Sequence, residues 1–267
     1  MGGKKLFIPA GILLNGIEVF LLVFVRMTGL FVIAPIFSRR NVPAYLKIGF
    51  SFMLALMLVT SLQVDSGLHY SNIFEYFLLV LKEFLVGITL GYVSYAIFTA
   101  IHLAGQLIDM KVGFGIVNVV DPLSNIQVPI TSTFYFISCM LIFLICNGHH
   151  ILIRALFYSY DFVPLGGALF DKQIIDNVIR VFGNIFIISF KISGPIVAAI
   201  LITDVALGII SKTVPQLNVF MVGMPLKIFL GLSIMVLTMP MFISLLEYLI
   251  KGMDREMYNF LESMAPK

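Results

Sequence analysis

The chain predicts an all-α membrane-type protein, a set of kinked apolar helical hairpins in one domain. Three observations carry that expectation. Hydrophobic residues make up 60% of the 267 positions and charged residues 12%, at a mean hydropathy of +1.05. Soluble domains carry about 25% charged residues to cover their surface, so this chain needs lipid or other apolar chains around it. The apolar residues gather in runs long enough to cross a hydrocarbon core, which takes about 20 helical residues. Those runs lack the two-residue alternation of a membrane barrel, and lipid admits only helices or closed barrels.

Six runs qualify, at about 13–37, 48–62, 74–103, 133–158, 181–211 and 226–250. The second is short, and the third and fifth are long. Lys4 and Lys5 precede the first, but its length exceeds that of a signal h-region and no small-residue cleavage site follows, so it reads as a helix of the mature protein. Prolines punctuate the runs. Pro195 follows Gly194 inside the fifth, where a broken helix or a hairpin tip is expected. Gly87 and Gly91 have the four-residue spacing that lets helix backbones approach closely.

Orientation does not follow from the loops. Grouping Lys and Arg by alternate connections gives six on one side against seven on the other, so the positive-inside rule is silent. Charges also interrupt the apolar runs: Glu18 and Arg26 in the first, Lys82 and Glu83 in the third, Lys191 and Asp204 in the fifth. A charge deep in lipid costs at least a few kcal/mol, so such residues face protein, water or a partner. Lys82 and Glu83 are adjacent and point about 100° apart on a helix, so they do not make one facing pair.

Enzyme signatures are weak. GFGIVN at 113–118 begins like a dinucleotide fingerprint but ends in Asn118, follows no strand and opens no soluble helix. There is no phosphate-binding loop, no HExxH and no Ser/His/Asp constellation. On a continuous helix Cys146, His149 and His150 would share a face, yet three soft ligands leave a metal site incomplete, and a structural role is the better reading. Cys139 and Cys146 lie in one apolar run and read as buried free thiols. A net charge of +3 with no long basic cluster gives no reason to expect nucleic acid. No cofactor and no catalysis are expected.

The stretch DMKVGFGIVNVVDPLSNIQVP, 109–129, is neither a good membrane helix nor an ordinary polar loop. Gly113, Gly115, Asn118, Asp121 and Pro122 break helices, while Phe114, Ile116, Val117, Val119 and Val120 avoid water.

With these strings in view, the chain resembles the FliR/SctT family, the R component of the type III export gate. The resemblance runs through residues 25–51, 82–92, 104–125, 147–150, 189–220 and 223–231, nearly the whole chain. VDPLSN and PQLNVF make it more similar to the flagellar branch than to the injectisome one. The resemblance implies an R subunit joined to P and Q subunits (FliP and FliQ) in a helical hetero-oligomeric gate, with FlhB and FlhA as further partners. Unfolded flagellar proteins would pass through it at the basal body, in the bacterial cytoplasmic membrane. It further implies a P-like part over about 1–177 and a Q-like hairpin over about 178–267. Helices of such gates are lifted largely out of the bilayer plane, which would explain the balanced Lys/Arg count. Buried or packing positions at Arg26, Lys82, Glu83, Gly87, Gly91, Lys191 and Asp204 would then be satisfied by partner chains. The 109–129 stretch would be a loop plugging the closed channel. Gly113, Phe114 and Gly115 lead in, Ile116 and Val119 supply the apolar side chains, and Asp121-Pro122 lead out. Relatives carry aromatics at those two positions; here they are aliphatic. Apolar side chains dewet a constriction, and glycines let such a loop swing aside. The competing expectations are a stand-alone secondary transporter or channel, resting on the broken fifth helix with Lys191 and Asp204, and a metal-dependent membrane enzyme.

Overall fold

The computed structural model describes residues 10–38, 42–61, 70, 72–114, 129–216 and 218–266. Among them every regular element is a helix: α1 (Ala10–Ile33), α2 (Ala44–Ser61), α3 (Ile73–Val112), α4 (Ile130–Ile145), α5 (Gly148–Phe162), α6 (Lys172–Thr213) and α7 (Val219–Met264).

Local chemistry sets the ends. The carbonyl of Asn72 accepts from the amides of Glu75 and Tyr76 at the start of α3, where Glu75 also favours the positive helix end. Gly113 closes α3 at φ 100°, a left-handed value that glycine adopts without strain. Asn218 Oδ1 caps α7 by accepting from the Met221 amide at 3.3 Å.

Four of the helices are long and apolar enough to cross a membrane, or five if α4 and α5 together make one bent span. The sequence predicts six. The second run forms the shorter α2, and the fourth breaks at Asn147, which takes φ 56° and donates its amide to the Leu144 carbonyl. That break also means Cys146, His149 and His150 do not share a face of one continuous helix. The expected break at Gly194-Pro195 is absent: α6 runs through it unbroken for 42 residues. Proline fixes φ near −65°, already a helical value; Pro195 gives up the hydrogen bond to the Lys191 carbonyl and its ring crowds that carbonyl, yet the helix continues on both sides. The stand-alone transporter reading loses its broken helix with it.

The chain forms two compact units, each assembled from discontinuous stretches: 1–95, 150–177 and 253–267 in one, 96–149 and 178–252 in the other. In the first, α1 and α2 meet through aromatic edges, with Phe20 and Phe52 rings 5.1 Å apart and Phe31 and Phe50 5.3 Å apart. Leu22, Leu30, Leu90, Leu152 and Phe260 are fully buried there. In the second, Phe98 sits between Phe136 and Phe143 at 5.6 and 5.5 Å, and Tyr135 stacks obliquely on Phe242 at 4.5 Å. Cys139 is buried and Cys146 half-buried, and both are free thiols.

Candidate functional site

Two polar constructions stand out among the described residues. The first belongs to the first unit and begins with two charges 57 residues apart. Arg26 on α1 and Glu83 on α3 are fully buried and paired, Nε to Oε2 at 2.6 Å and Nη2 to Oε1 at 3.1 Å. The remaining guanidinium N–H groups reach Ser159 Oγ at 3.0 Å and the Val163 carbonyl at 3.1 and 3.0 Å, so all five donors are used. Ser159 and Val163 lie at the C-terminal end of α5, whose dipole favours a cation. The guanidinium carbon also lies 4.0 Å from the centre of the Tyr160 ring. Glu83 Oε1 accepts in addition from the Gly166 amide at 2.8 Å. A buried ion pair tolerates desolvation only when its other lone pairs and protons are satisfied, and here they are.

The glycines beside this pair let the helices touch. A Cβ on Gly87 would lie 2.1 Å from the Arg26 carbonyl oxygen, and one on Gly91 would lie 3.1 Å from that of Leu30. The backbone that these glycines admit is thus α1 of the same chain. For Arg26 and Glu83, too, the satisfying groups lie within the chain, where the resemblance implied a partner. Lys82 is half-buried beside them.

The second construction, in the other unit, lies at the feet of the 115–128 segment. Pro129 precedes α4 without capping it by a side chain. Asp109 of α3 does so instead: its two oxygens accept from the amides of Thr131 at 2.9 Å and Ser132 at 3.1 Å. One turn back, a Cβ on Gly105 would lie 2.2 Å from Ser132 Cα, so the two helices meet backbone to backbone. Ser132 Oγ donates to the His102 carbonyl at 2.9 Å and lies 2.6 Å from His102 Nδ1; Gln106 Nε2 lies 3.2 Å from Nε2 of the same ring. These contacts agree with one another when the ring proton sits on Nδ1. Val112 and Gly113 also line a cleft of about 350 Å³ with Leu207, Phe220 and Met224, and the ion pair between Lys227 and Asp204 borders it.

Of the expected plug positions, Gly113 and Phe114 fall at the end of α3, while Gly115, Ile116 and Val119 lie outside the described residues. Lys191 is exposed on α6. Asp204 pairs with Lys227 on α7.

Residues 17–253 match the family described as Bacterial export proteins, family 1. The chain belongs to this export family, FliR/SctT. It is 39% identical over 223 residues to the flagellar biosynthetic protein FliR of Bacillus subtilis (strain 168), covering 82% of this chain and 85% of the relative. It is 29% identical over 238 residues to FliR of Escherichia coli (strain K12), at 88% of each chain. Its similarity extends to the surface presentation of antigens protein SpaR of Shigella flexneri, 27% over 224 residues, at 84% of this chain and 83% of that one.

For this export-family chain, sequence reading passed over Asp109, Gly105, His102, Ser132 and Ser159. One signal was available for Asp109. A helix opening at Pro-Ile-Thr-Ser has no Ser, Thr, Asp or Asn at its own cap, so its first-turn amides need an acceptor from elsewhere.

Proposed function

We propose that this chain is a core subunit of a flagellar type III export gate, joining FliP- and FliQ-type subunits, with FlhB and FlhA as neighbours, to form the channel entrance for unfolded flagellar proteins. The observation that carries this reading is the 39% identity over 223 residues to the flagellar FliR of Bacillus subtilis. The site proposed is the bacterial cytoplasmic membrane at the flagellar basal body, in keeping with four or five apolar helices of spanning length. The role is to form a path, not to catalyse a reaction.

Within that role, residues 113–119 act as the plug, with Ile116 and Val119 sealing the closed channel by dewetting it. Supporting this, the apolar stretch follows directly on a helix stopped by Gly113, and Asp109 holds the far foot of the segment against the near one. The part from about 178 onward acts as a Q-like hairpin, and about 1–177 as the P-like part; two successive long helices, α6 and α7, take up most of the later range and support the hairpin reading.

The decisive test is the native mass of the complex purified after co-expression with candidate P and Q subunits. One copy of this chain with several copies of each partner is expected. A stable monomer or symmetric homodimer that moves a small solute in vesicles overturns the reading. Replacing Ile116 and Val119 together by Asn should make the assembled complex leak ions into vesicles. An unchanged ion permeability in an intact complex removes the plug assignment.

A further inference from the structure

The helix α6 is apolar on two sides, and its own chain covers one of them. Ile185, Ile192, Ile196, Ile200 and Leu207 recur at four- and seven-residue intervals and are at most 7% exposed. On the opposite side Ile187, Ile202, Val205 and Ile209 are all more than half exposed, and a Cβ added to Gly194 would meet nothing within 4 Å. Lys191 stands in the middle of that open side, itself exposed and, among the described residues, paired with no carboxylate.

Its height along the helix matters as much as its side. Arg180 and Asp204 are the nearest charges in α6, 11 and 13 residues away, which is about 16 and 20 Å. The run between them is long enough to span a hydrocarbon core of about 30 Å, and an ammonium reaches water by snorkelling only from near a helix end. Pro195, one turn on, has no N–H, so the Lys191 carbonyl also lacks its usual helical donor. Lipid would cover the isoleucines and leave the cation unmet. Water would meet the cation and leave the isoleucines wet.

We propose that Lys191 anchors an apolar helix of a different subunit, one that carries an aspartate or glutamate within its own apolar run. The inference rests on the gate reading given above and names the chemistry by which one partner docks. Such a helix covers the open side of α6 and brings the anion that lipid lacks at this depth. A second copy of this chain is a poor source of that anion. In its apolar runs Glu83 and Asp204 are already paired, Asp109 is bonded to α4, and Glu18 accepts from Tyr70. Apolar contact alone would let the two helices slide; a charge pair fixes their register, because a slip of one turn, about 5.4 Å, parts the charges.

The test is a zero-length cross-link in the complex purified after co-expression with P- and Q-type subunits. A carbodiimide joins the Lys191 amine to a carboxyl group as an amide and takes up the water lost, leaving as a urea. The cross-linked peptide should join Lys191 to an Asp or Glu in an apolar helix of another subunit. A water-soluble amine reagent should label Lys191 at least about tenfold less in the intact complex than in the same complex unfolded in dodecyl sulfate. K191M should lower recovery of the complex about tenfold or more, the loss expected when one member of a buried charge pair is left alone. K191E should lower it further, and placing a lysine at the cross-linked carboxylate should restore part of the K191E loss. Undiminished recovery of K191M, equal labelling in both samples, or a cross-link to a second copy of this chain or to a lipid carboxylate overturns the anchor, and an intact hetero-complex then leaves the gate reading standing. If the parent chain forms no hetero-complex, the gate reading falls and the anchor falls with it.

Discussion

Arg26 uses every donor it has, so removing either member of its pair strands the other in a place no water reaches. Substituting Met for Arg26 leaves Glu83 fully buried with only the Gly166 amide to meet it, and should cost about 3–5 kcal/mol. Replacing both, as R26M/E83L, removes the stranded charge and should cost less than the two single changes added together. Thermal unfolding of the purified complex reads this cycle; strict additivity would contradict the account of the pair. Gly87 makes a second case, because a methyl there runs into the Arg26 carbonyl oxygen. Gly87→Ala should lose about 1–3 kcal/mol through overpacking. Gly183→Ala, with nothing within 4 Å of the added carbon, should be neutral or gain up to about 1 kcal/mol from helix propensity. Equal effects at the two sites would count against backbone contact as the cause.

At the scale of elements, the existence and apolar character of the helices were legible, and their ends were less so. Hydropathy closes the third run near Leu103, whereas α3 continues to Val112. His102, Gln106 and Asp109 look like the polar margin of a loop, yet His102 and Asp109 are spent on α4, and a residue-by-residue scale does not see a tertiary partner. The same blindness applies to Arg26 and Glu83. Each was visible as a charge out of place, but nothing along the chain pairs positions 57 residues apart. Gly194-Pro195 errs the other way, since a strong local signal for a break yields to the continuity of the helix on both sides. The break that does occur uses Asn147, one of the few non-glycine residues tolerant of positive φ. Asn147→Gly should therefore leave the melting temperature near its parent value, and Asn147→Val should cost about 1–2 kcal/mol. A valine variant as stable as the parent would mean that the turn is held by its surroundings alone. Among the described plug positions, Gly113 takes the helix-breaking conformation expected of it.

For the whole molecule, length decides. α3, α6 and α7 have 40, 42 and 46 residues, which at 1.5 Å per residue are about 60, 63 and 69 Å. A hydrocarbon core is about 30 Å thick, so each is twice the length that one crossing uses. In its most apolar window α3 is 61% buried by its own chain and α7 only 11%. Val236 and Leu237, on that exposed surface of α7, are 69% and 77% exposed. One crossing uses at most half of such a helix; the chain itself buries the end of α7 at Met253, Met257, Phe260 and Met264, whereas the apolar stretch around Val236 stays open for lipid or other protein. The chain made without P- and Q-type partners should consequently be degraded several-fold faster in cells than the chain made with them. A pulse-chase half-life that ignores the partners would argue that the chain stands by itself.

The Arg26 pair also has a history in time. Arg26 leaves the ribosome 57 residues before the carboxylate it needs, a wait of roughly 3 to 11 s at bacterial synthesis rates of about 5–20 residues per second. Ser159 and the Val163 carbonyl come later still, 133 and 137 residues behind. During that interval α1 is an apolar helix with a naked cation near its middle, a poor candidate to enter lipid alone. Entering lipid unpaired would cost α1 about 2.5–3.5 kcal/mol for its arginine, a penalty that lasts until α3 brings Glu83.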